Sequence, residues 1–142
     1  MRIGFLHSLI RKEEKLLIGE FEARGVELVM IDDRKLTFDL FSGPDVDLVF
    51  ERCINHSRAM HGLRLVESTG VRCINTSDVS RVCGDKILTS LALKEANVPQ
   101  PPVRIAFTEA SALEAIEQLG YPVVLKPVVG SWGRLLSKIN DR

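Results

Sequence analysis

Four short segments of this chain are apolar at consecutive positions rather than at alternate ones, and that constrains the fold more than anything else in the sequence. They are RIGFLH (residues 2–7), VELVMID (26–32), VDLVFER (46–52) and VRCIN (71–75). A strand with one wet face alternates polar and apolar residues, whereas a strand covered on both faces does not, and such strands belong to parallel sheets. The intervening segments fit that reading. Residues 13–24 place Leu16, Leu17, Phe21 and Ala23 at roughly helical spacing, and Gly25 is a natural stop. Residues 57–70 read as a second helix, ending at Gly70, and a polar connection containing Gly43-Pro44 joins the second strand to the third. The expected architecture is α/β: an open parallel sheet over residues 2–75 with helices on both faces.

The rhythm changes after residue 75. The segment TSDVSRVCGDK is short and polar, and a boundary near residue 78 divides the chain into an α/β lobe (1–78) and a second lobe (79–142). A helix is expected over 85–96, with Asp85 as its N-cap and Ile87, Leu88, Leu91 and Ala92 as its buried stripe. NVPQPPV then carries three of the six prolines, which makes a stiff, extended turn. A strand at 103–107, a helix at 111–119, a strand before Lys126 and a strand at 134–139 read as an incomplete α+β lobe.

Composition closes several doors. Apolar residues make up 45% and charged residues 27%, a globular balance. Nineteen basic and nineteen acidic side chains cancel, so no whole-molecule field recruits nucleic acid or an anionic membrane, and any anion site must be built locally. Cys53, Cys73 and Cys83 are widely spaced, odd in number and without a C-x-x-C, which fits a reducing cytoplasm rather than a disulfide framework or a zinc site. The apolar stretch at 3–6 is too short for a signal peptide, and no segment approaches the length of a membrane span.

Two places have the character of a local anion site. Lys86 falls in the first turn of the 85–96 helix, where backbone N–H groups and the helix dipole favour negative charge. Val123, Val124 and Leu125 form a strand suited to cover on both faces, and Pro127 cannot donate to a ladder, so Lys126 stands where the strand leaves its sheet. Gly130-Ser131-Trp132-Gly133-Arg134 follows, offering backbone N–H groups unhindered by a Cβ, plus a cation. Either element alone is weak, because a helix-start lysine is usually solvated and a two-glycine loop is usually a turn. Together they suit a nucleoside triphosphate. The chain has no G-x-x-x-x-G-K-[ST], and its first βα junction, GFLHSLIRKEE, lacks G-x-G-x-x-G.

CGDK at 83–86, YPVVLKPVVGSWGR at 121–134 and ERCINHSRA at 51–59 resemble the ATP-grasp ligases over essentially the whole chain. The resemblance is strongest to the lysine-biosynthesis subgroup that joins α-aminoadipate to an acidic amino-group carrier protein. GSWGR after VLKP is specific to that subgroup, whereas the broader glutamate-ligase relatives carry a loop richer in glycine and without the tryptophan. The resemblance implies a pre-ATP-grasp lobe followed by the first part of an ATP-grasp domain. It implies that Lys86 and Lys126 bind the nucleotide phosphates and that Gly130, Ser131, Trp132, Gly133, Arg134, Leu135 and Leu136 form the loop closing over them. ATP and magnesium would be the cofactors, and an acyl phosphate the intermediate. Partners would be an amino-acid substrate, an acidic carrier and, at full length, a second copy. Members are about twice this length, so the chain is expected to be an N-terminal portion, inactive alone, with metal ligands and catalytic residues elsewhere. A glutamate-specific ligase, or a docking or dimerisation module if the chain ends naturally at Arg142, is the alternative.

The remaining polar residues have plainer readings beside functional ones. Arg52, Asn55 and Arg58 cluster just past a strand end, where α/β sheets bind ligands, and could hold a substrate or carrier carboxylate; surface ion pairing or helix capping is the plainer and favoured explanation. His56 and His61 have poor metal spacing on a helix and read as structural, His7 as partly buried, and Cys53 as inert packing. Trp132 either shields phosphates or packs against the neighbouring lobe.

Overall fold

The computed structural model describes residues 1–130 and 133–142. The chain forms two compact units, Met1–Arg81 and Val82–Arg142. The boundary expected near residue 78 falls inside a helix, Ser77–Gly84, that runs across the division.

In the first unit, β1 (Arg2–His7), α1 (Lys12–Ala23), β2 (Glu27–Asp32), β3 (Leu48–Arg52), α2 (His56–Ser68) and β4 (Arg72–Ile74) follow in order. The four strands form one parallel sheet in the order β2-β1-β3-β4. From the central pair, the crossovers run outward in opposite directions. Right-handed connections therefore place α1 and α2 on opposite faces. Side-chain packing agrees. On one face, Phe50 lies 6.0 Å from Phe5 and meets Phe21 of α1 edge-on at 5.5 Å between centroids. On the other, Leu6 and Val49 cluster with Leu63 and Val66 of α2 and with Cys73 of β4. Successive strand residues point to opposite faces, so both faces covered means apolar residues at every position, as expected.

The helix faces correct the expected stripe. In α1 the residues turned inward are Glu14, Leu17, Ile18 and Phe21, while Leu16 and Ala23, two of the four apolar positions read at helical spacing, are exposed. The true face follows i, i+3, i+4, i+7 and begins on a glutamate, which hydrophobic counting passes over. In α2 the same spacing is wholly apolar or small: Ala59, Gly62, Leu63 and Val66 are buried. Gly25 and Gly70, with φ of +68° and +85°, end the two helical segments in the left-handed conformation that favours glycine.

The polar segment expected as a plain break is α3 (Ser77–Gly84). Thr76 Oγ1 accepts a hydrogen bond from Val79 N, and the Glu67 carboxylate accepts from both Ser77 N and Ser77 Oγ. Capping holds this helix, not an apolar stripe; its only buried residue is Ser77.

The second unit contains α4 (Lys86–Glu95), α5 (Glu109–Leu119), β5 (Val123–Leu125) and β6 (Ser137–Ile139), with the two strands pairing antiparallel. Asp85 caps α4 as expected, its Oδ1 accepting from Ile87 N at 2.8 Å and Leu88 N at 3.0 Å. The stripe expected on α4 is not buried: Ile87 and Leu88 are half-buried, and Leu91 and Ala92 are exposed. The strand expected at 103–107 is absent. Its residues pair with no strand among those described, and the prolines just before it remove N–H donors. Nor is β5 covered on both faces, since Val123 is buried while Val124 and Leu125 are exposed.

Candidate functional site

The second unit brings the expected nucleotide residues together in part. Lys86 is the first residue of α4, and its ammonium donates to the carbonyl oxygen of Gly130 at 3.0 Å. Its backbone N–H donates to Val128 O at 3.0 Å, and Asp85 and Val129 form an isolated antiparallel bridge. The helix start is thereby stitched to the segment that follows β5. These bonds overturn one expectation. The first-turn N–H groups of α4 are not free for an anion, because Val128 O and the Asp85 carboxylate occupy those of Lys86, Ile87 and Leu88. The Lys86 ammonium is the cation this helix start offers.

Lys126 follows directly on β5, is exposed, and has no hydrogen bond or ion pair with other described residues. Gly130 sits at φ +152° and Gly133 at φ +67°, conformations that suit a residue without a Cβ. Gly133, Arg134 and Leu135 form a turn, closed by Leu136 N donating to Gly133 O at 3.3 Å, with Leu135 also at positive φ. Ser131 and Trp132 lie outside the described residues.

The first unit holds a separate polar cluster at the carboxyl ends of its central strands, where the order reverses between β1 and β3. Ligands in open α/β sheets bind at such a point. Glu14 is fully buried there. Its carboxylate accepts from Arg11 Nε at 2.9 Å and Nη2 at 2.7 Å, and from Arg52 Nη2 at 2.9 Å. Hydrogen bonds from Arg11 foremost, with Arg52 adding to them against the cost of burial, pull the Glu14 carboxyl down to about 2. Asp33 Oδ2 accepts from Ser8 Oγ at 3.0 Å and lies 3.1 Å from Arg58 Nε. Asn55 caps α2 by accepting from Arg58 N at 2.9 Å. Each of the three residues singled out for a substrate thus has a protein partner: Arg52 has Glu14, Asn55 has the start of α2, and Arg58 has Asp33.

Sequence reasoning missed Glu14 and Asp33. Glu14 carried a signal, since Arg11 precedes it by three residues at a helix start. Asp33 could have been found as an acid directly after a parallel strand. Cys53 has the inert character expected of it: burial, with Glu51 adding to it, pushes its thiol far up, and burial likewise pushes Cys73 up to about 12. Among the described residues, no group of three or more His, Cys, Asp or Glu is arranged to hold a metal ion, and no helix is long and apolar enough to cross a membrane.

The fold is that of the amino-terminal part of ATP-grasp proteins. A solved structure described as a RimK domain protein ATP-grasp, from Sphaerobacter thermophilus, superimposes with a TM-score of 0.86 at 28% identity, over 100% of this chain and 56% of that one. The sequence model described as the LysX preATP-grasp domain matches residues 3–82, more than half of the chain, and the chain belongs to that family. It is 38% identical over 143 residues to the glutamate–LysW ligase ArgX of Sulfurisphaera tokodaii, covering 99% of this chain and 50% of the relative. It is 40% identical over 136 residues to the α-aminoadipate–LysW ligase LysX of Saccharolobus solfataricus, covering 92% and 49%. The chain spans about half the length of these curated relatives.

Proposed function

We propose that these residues are the amino-terminal half of a cytoplasmic, ATP-dependent, ADP-forming carboxylate–amine ligase that extends an acidic carrier protein by one amino acid. The observation that carries this reading is the Lys86 ammonium on Gly130 O, which fixes a cation at the mouth of the loop that follows Lys126. The relatives, named as glutamate–LysW and α-aminoadipate–LysW ligases, suggest the class of reaction. Lys86 and Lys126 would hold the phosphates, and the loop from Gly130 through Ser131, Trp132, Gly133, Arg134 and Leu135 to Leu136 would close over them.

The γ-phosphoryl group passes to the carboxylate of the carrier's C-terminal glutamate, giving an acyl phosphate and ADP. The amine of the incoming amino acid attacks that carbonyl, phosphate leaves, and an amide remains. Charge accumulates on the transferring phosphoryl group, so fixed cations that need no rearrangement are what the site must supply. Magnesium would add to that neutralisation. The described residues hold no cluster for it, so its ligands would come from the other half of a protein of the relatives' length.

α-Aminoadipate is the incoming amino acid we favour, from the GSWGR loop. Glutamate is the second reading, supported by the 38% identity to a glutamate–LysW ligase over 99% of this chain. The two differ by one methylene, worth about 1–3 kcal/mol in a pocket. Amide formation on a carrier by the full reading frame, with each amino acid in turn, decides between them. In that protein, Lys86→Met and Lys126→Met should each weaken ATP binding by roughly ten- to a hundredfold, the loss of one charge-assisted contact. Lys138→Met, on the exposed face of β6, should leave it unchanged. Wild-type affinity in both lysine variants would overturn the nucleotide reading.

A further inference from the structure

The ligase reading makes no use of the free edge of the sheet in the first unit. β2 stands at one end of the order β2-β1-β3-β4, with β1 as its neighbour. The ladder between them fixes which backbone groups of β2 are used. Glu27 N donates to Met1 O at 3.2 Å at one end, and Asp33 N to His7 O at 2.9 Å at the other. In a parallel ladder a residue turns its N–H and C=O to the same neighbour, and the next residue turns both away. Glu27, Val29, Ile31 and Asp33 therefore face β1, while Leu28, Met30 and Asp32 face outward.

The outward row is short and closed at both ends. Val26 N, just before it, donates to Phe21 O, and Asp32 O, at its far end, accepts from Lys35 N. Between them, the N–H and C=O groups of Leu28 and Met30 have no partner among the described residues. Edge strands are commonly guarded by a lysine, a proline or a bulge, and residues 28–31, LVMI in unbroken register, have none of these. The Met30 side chain on this edge is 45% exposed. Two donors and two acceptors spaced in this way are complementary to themselves. Turned antiparallel about a two-fold axis at Val29, the strand sets Leu28 opposite Met30 of a second copy and Met30 opposite that copy's Leu28. Both residues then exchange N–H and C=O with their opposites, and every free group finds a partner. Leu28 meets Met30 on one face and Val29 meets Val29 on the other, apolar against apolar. Moving the axis to Met30 would set Leu28 against Asp32 and Glu27 against Asp33, so the side chains favour the first register.

We infer that β2 is a dimerisation edge: a second copy of this chain pairs with it antiparallel, Leu28 opposite Met30, and joins two four-stranded sheets into one continuous sheet. The inference does not rest on the ligase reading, since it uses no residue of the second unit.

Sedimentation equilibrium of the 142-residue chain tests it. The mass should approach twice the chain's 15.8 kDa, with half-dissociation at or below about 100 μM, the strength expected of an interface built on one pair of strands. Met30→Pro deletes an outward N–H that the β1 ladder does not use, and an edge strand tolerates proline at such a place. It should weaken dimerisation by at least about tenfold, since the two-fold axis doubles the loss of one hydrogen bond. Met30→Lys, at the same exposed position, should weaken it similarly through charge, and the circular dichroism of both variants should match that of the unsubstituted chain. Cross-linking reads the register. With the exposed Cys83 replaced by serine, Val29→Cys should form a disulfide across the axis under mild oxidation, because facing residues in a non-hydrogen-bonded antiparallel pair stand about 4.5 Å apart at Cα. Met30→Cys, displaced from the axis, should cross-link at least about fivefold more slowly. A chain still monomeric above about 100 μM, a dimer as stable in Met30→Lys as in the unsubstituted chain, or faster cross-linking through Met30→Cys than through Val29→Cys would overturn the inference.

Discussion

The two units of this chain bury apolar side chains to very different extents. In Met1–Arg81, Ile3, Phe5, Leu6, Val49, Ala59, Leu63, Val66 and Cys73 are all buried, and they divide between two faces of one sheet. In Val82–Arg142, Ile116 and Val123 are the buried hydrophobic residues among those described, while Phe107 is 87% and Leu135 85% exposed. A parallel strand brings its own cover, because each crossover lays a helix on the sheet. A two-stranded antiparallel ribbon brings none, and alone it is marginal in water. The first unit thus has the makings of an independent folding unit. The second carries the residues proposed for the nucleotide on a platform whose apolar surface is open. On the proposed function, the further half of the protein would cover that surface and complete the site at once.

The largest effect that separates the units is cavity formation. Leu63→Ala empties a fully buried position among Leu6, Val49, Val66 and Cys73. It should lower the unfolding free energy by about 2–5 kcal/mol. Phe107→Ala removes a larger side chain from an exposed position, and should change stability by less than about 0.5 kcal/mol. Urea unfolding followed by circular dichroism reads both. Similar losses for the two would break the comparison, since Phe107 would then be part of a core.

The next effect is acid sensitivity confined to the first unit. Glu14 is buried between Arg11 and Arg52, and its carboxyl is held at about 2 rather than 4.5. A carboxyl lowered on folding stabilises the native state fully above its unfolded value. That contribution is lost as pH falls from about 4.5 through about 2. Unscreened, the shift would correspond to about 3 kcal/mol, and because both arginines remain about one-third exposed to solvent the contribution is nearer about 2 kcal/mol. Glu14→Gln should therefore lower stability at neutral pH and flatten the unfolding free energy across that acid window. An acid limb as steep as that of the unsubstituted chain would place the sensitivity elsewhere.

The same contrast explains what sequence reasoning reached. All four strands of the first unit were readable, because their apolar runs report burial that the local chain itself provides. The α4 cap was readable too, since Asp85 needs only the next turn as a partner. Three readings failed where the partner is distant or missing. Glu14 in the core is held by Arg11 foremost and also by Arg52, thirty-eight residues away, and no period of hydrophobicity can show either ion pair. Residues 103–107 have β propensity without a neighbouring strand among those described, and propensity alone does not make a ladder. The α4 stripe of Ile87, Leu88, Leu91 and Ala92 has helical spacing, yet little of the second unit packs on it. Among the site residues, the Lys86 context was visible, but its hydrogen bond to Gly130 O depends on tertiary structure.

The smallest effect is the most discriminating, because it applies the same change to both units. Asn55 caps α2 through one side-chain hydrogen bond to Arg58 N, and Asp85 caps α4 through two, to Ile87 N and Leu88 N. Removing such a cap costs about 1 kcal/mol in either place. The consequences should differ. The α2 helix buries Ala59, Gly62, Leu63 and Val66 against the sheet, so it opens only when the unit opens. Asn55→Ala should then lower amide hydrogen-exchange protection together in α2, β1 and β3, by about fivefold at 1 kcal/mol. The α4 helix has no buried residue, so it can fray alone. Asp85→Ala should lower protection within 86–95 by a similar factor while the amides of β5 and α5 keep theirs. A loss spread evenly over the second unit after Asp85→Ala would show a cooperative core there, and the contrast between the units would fail.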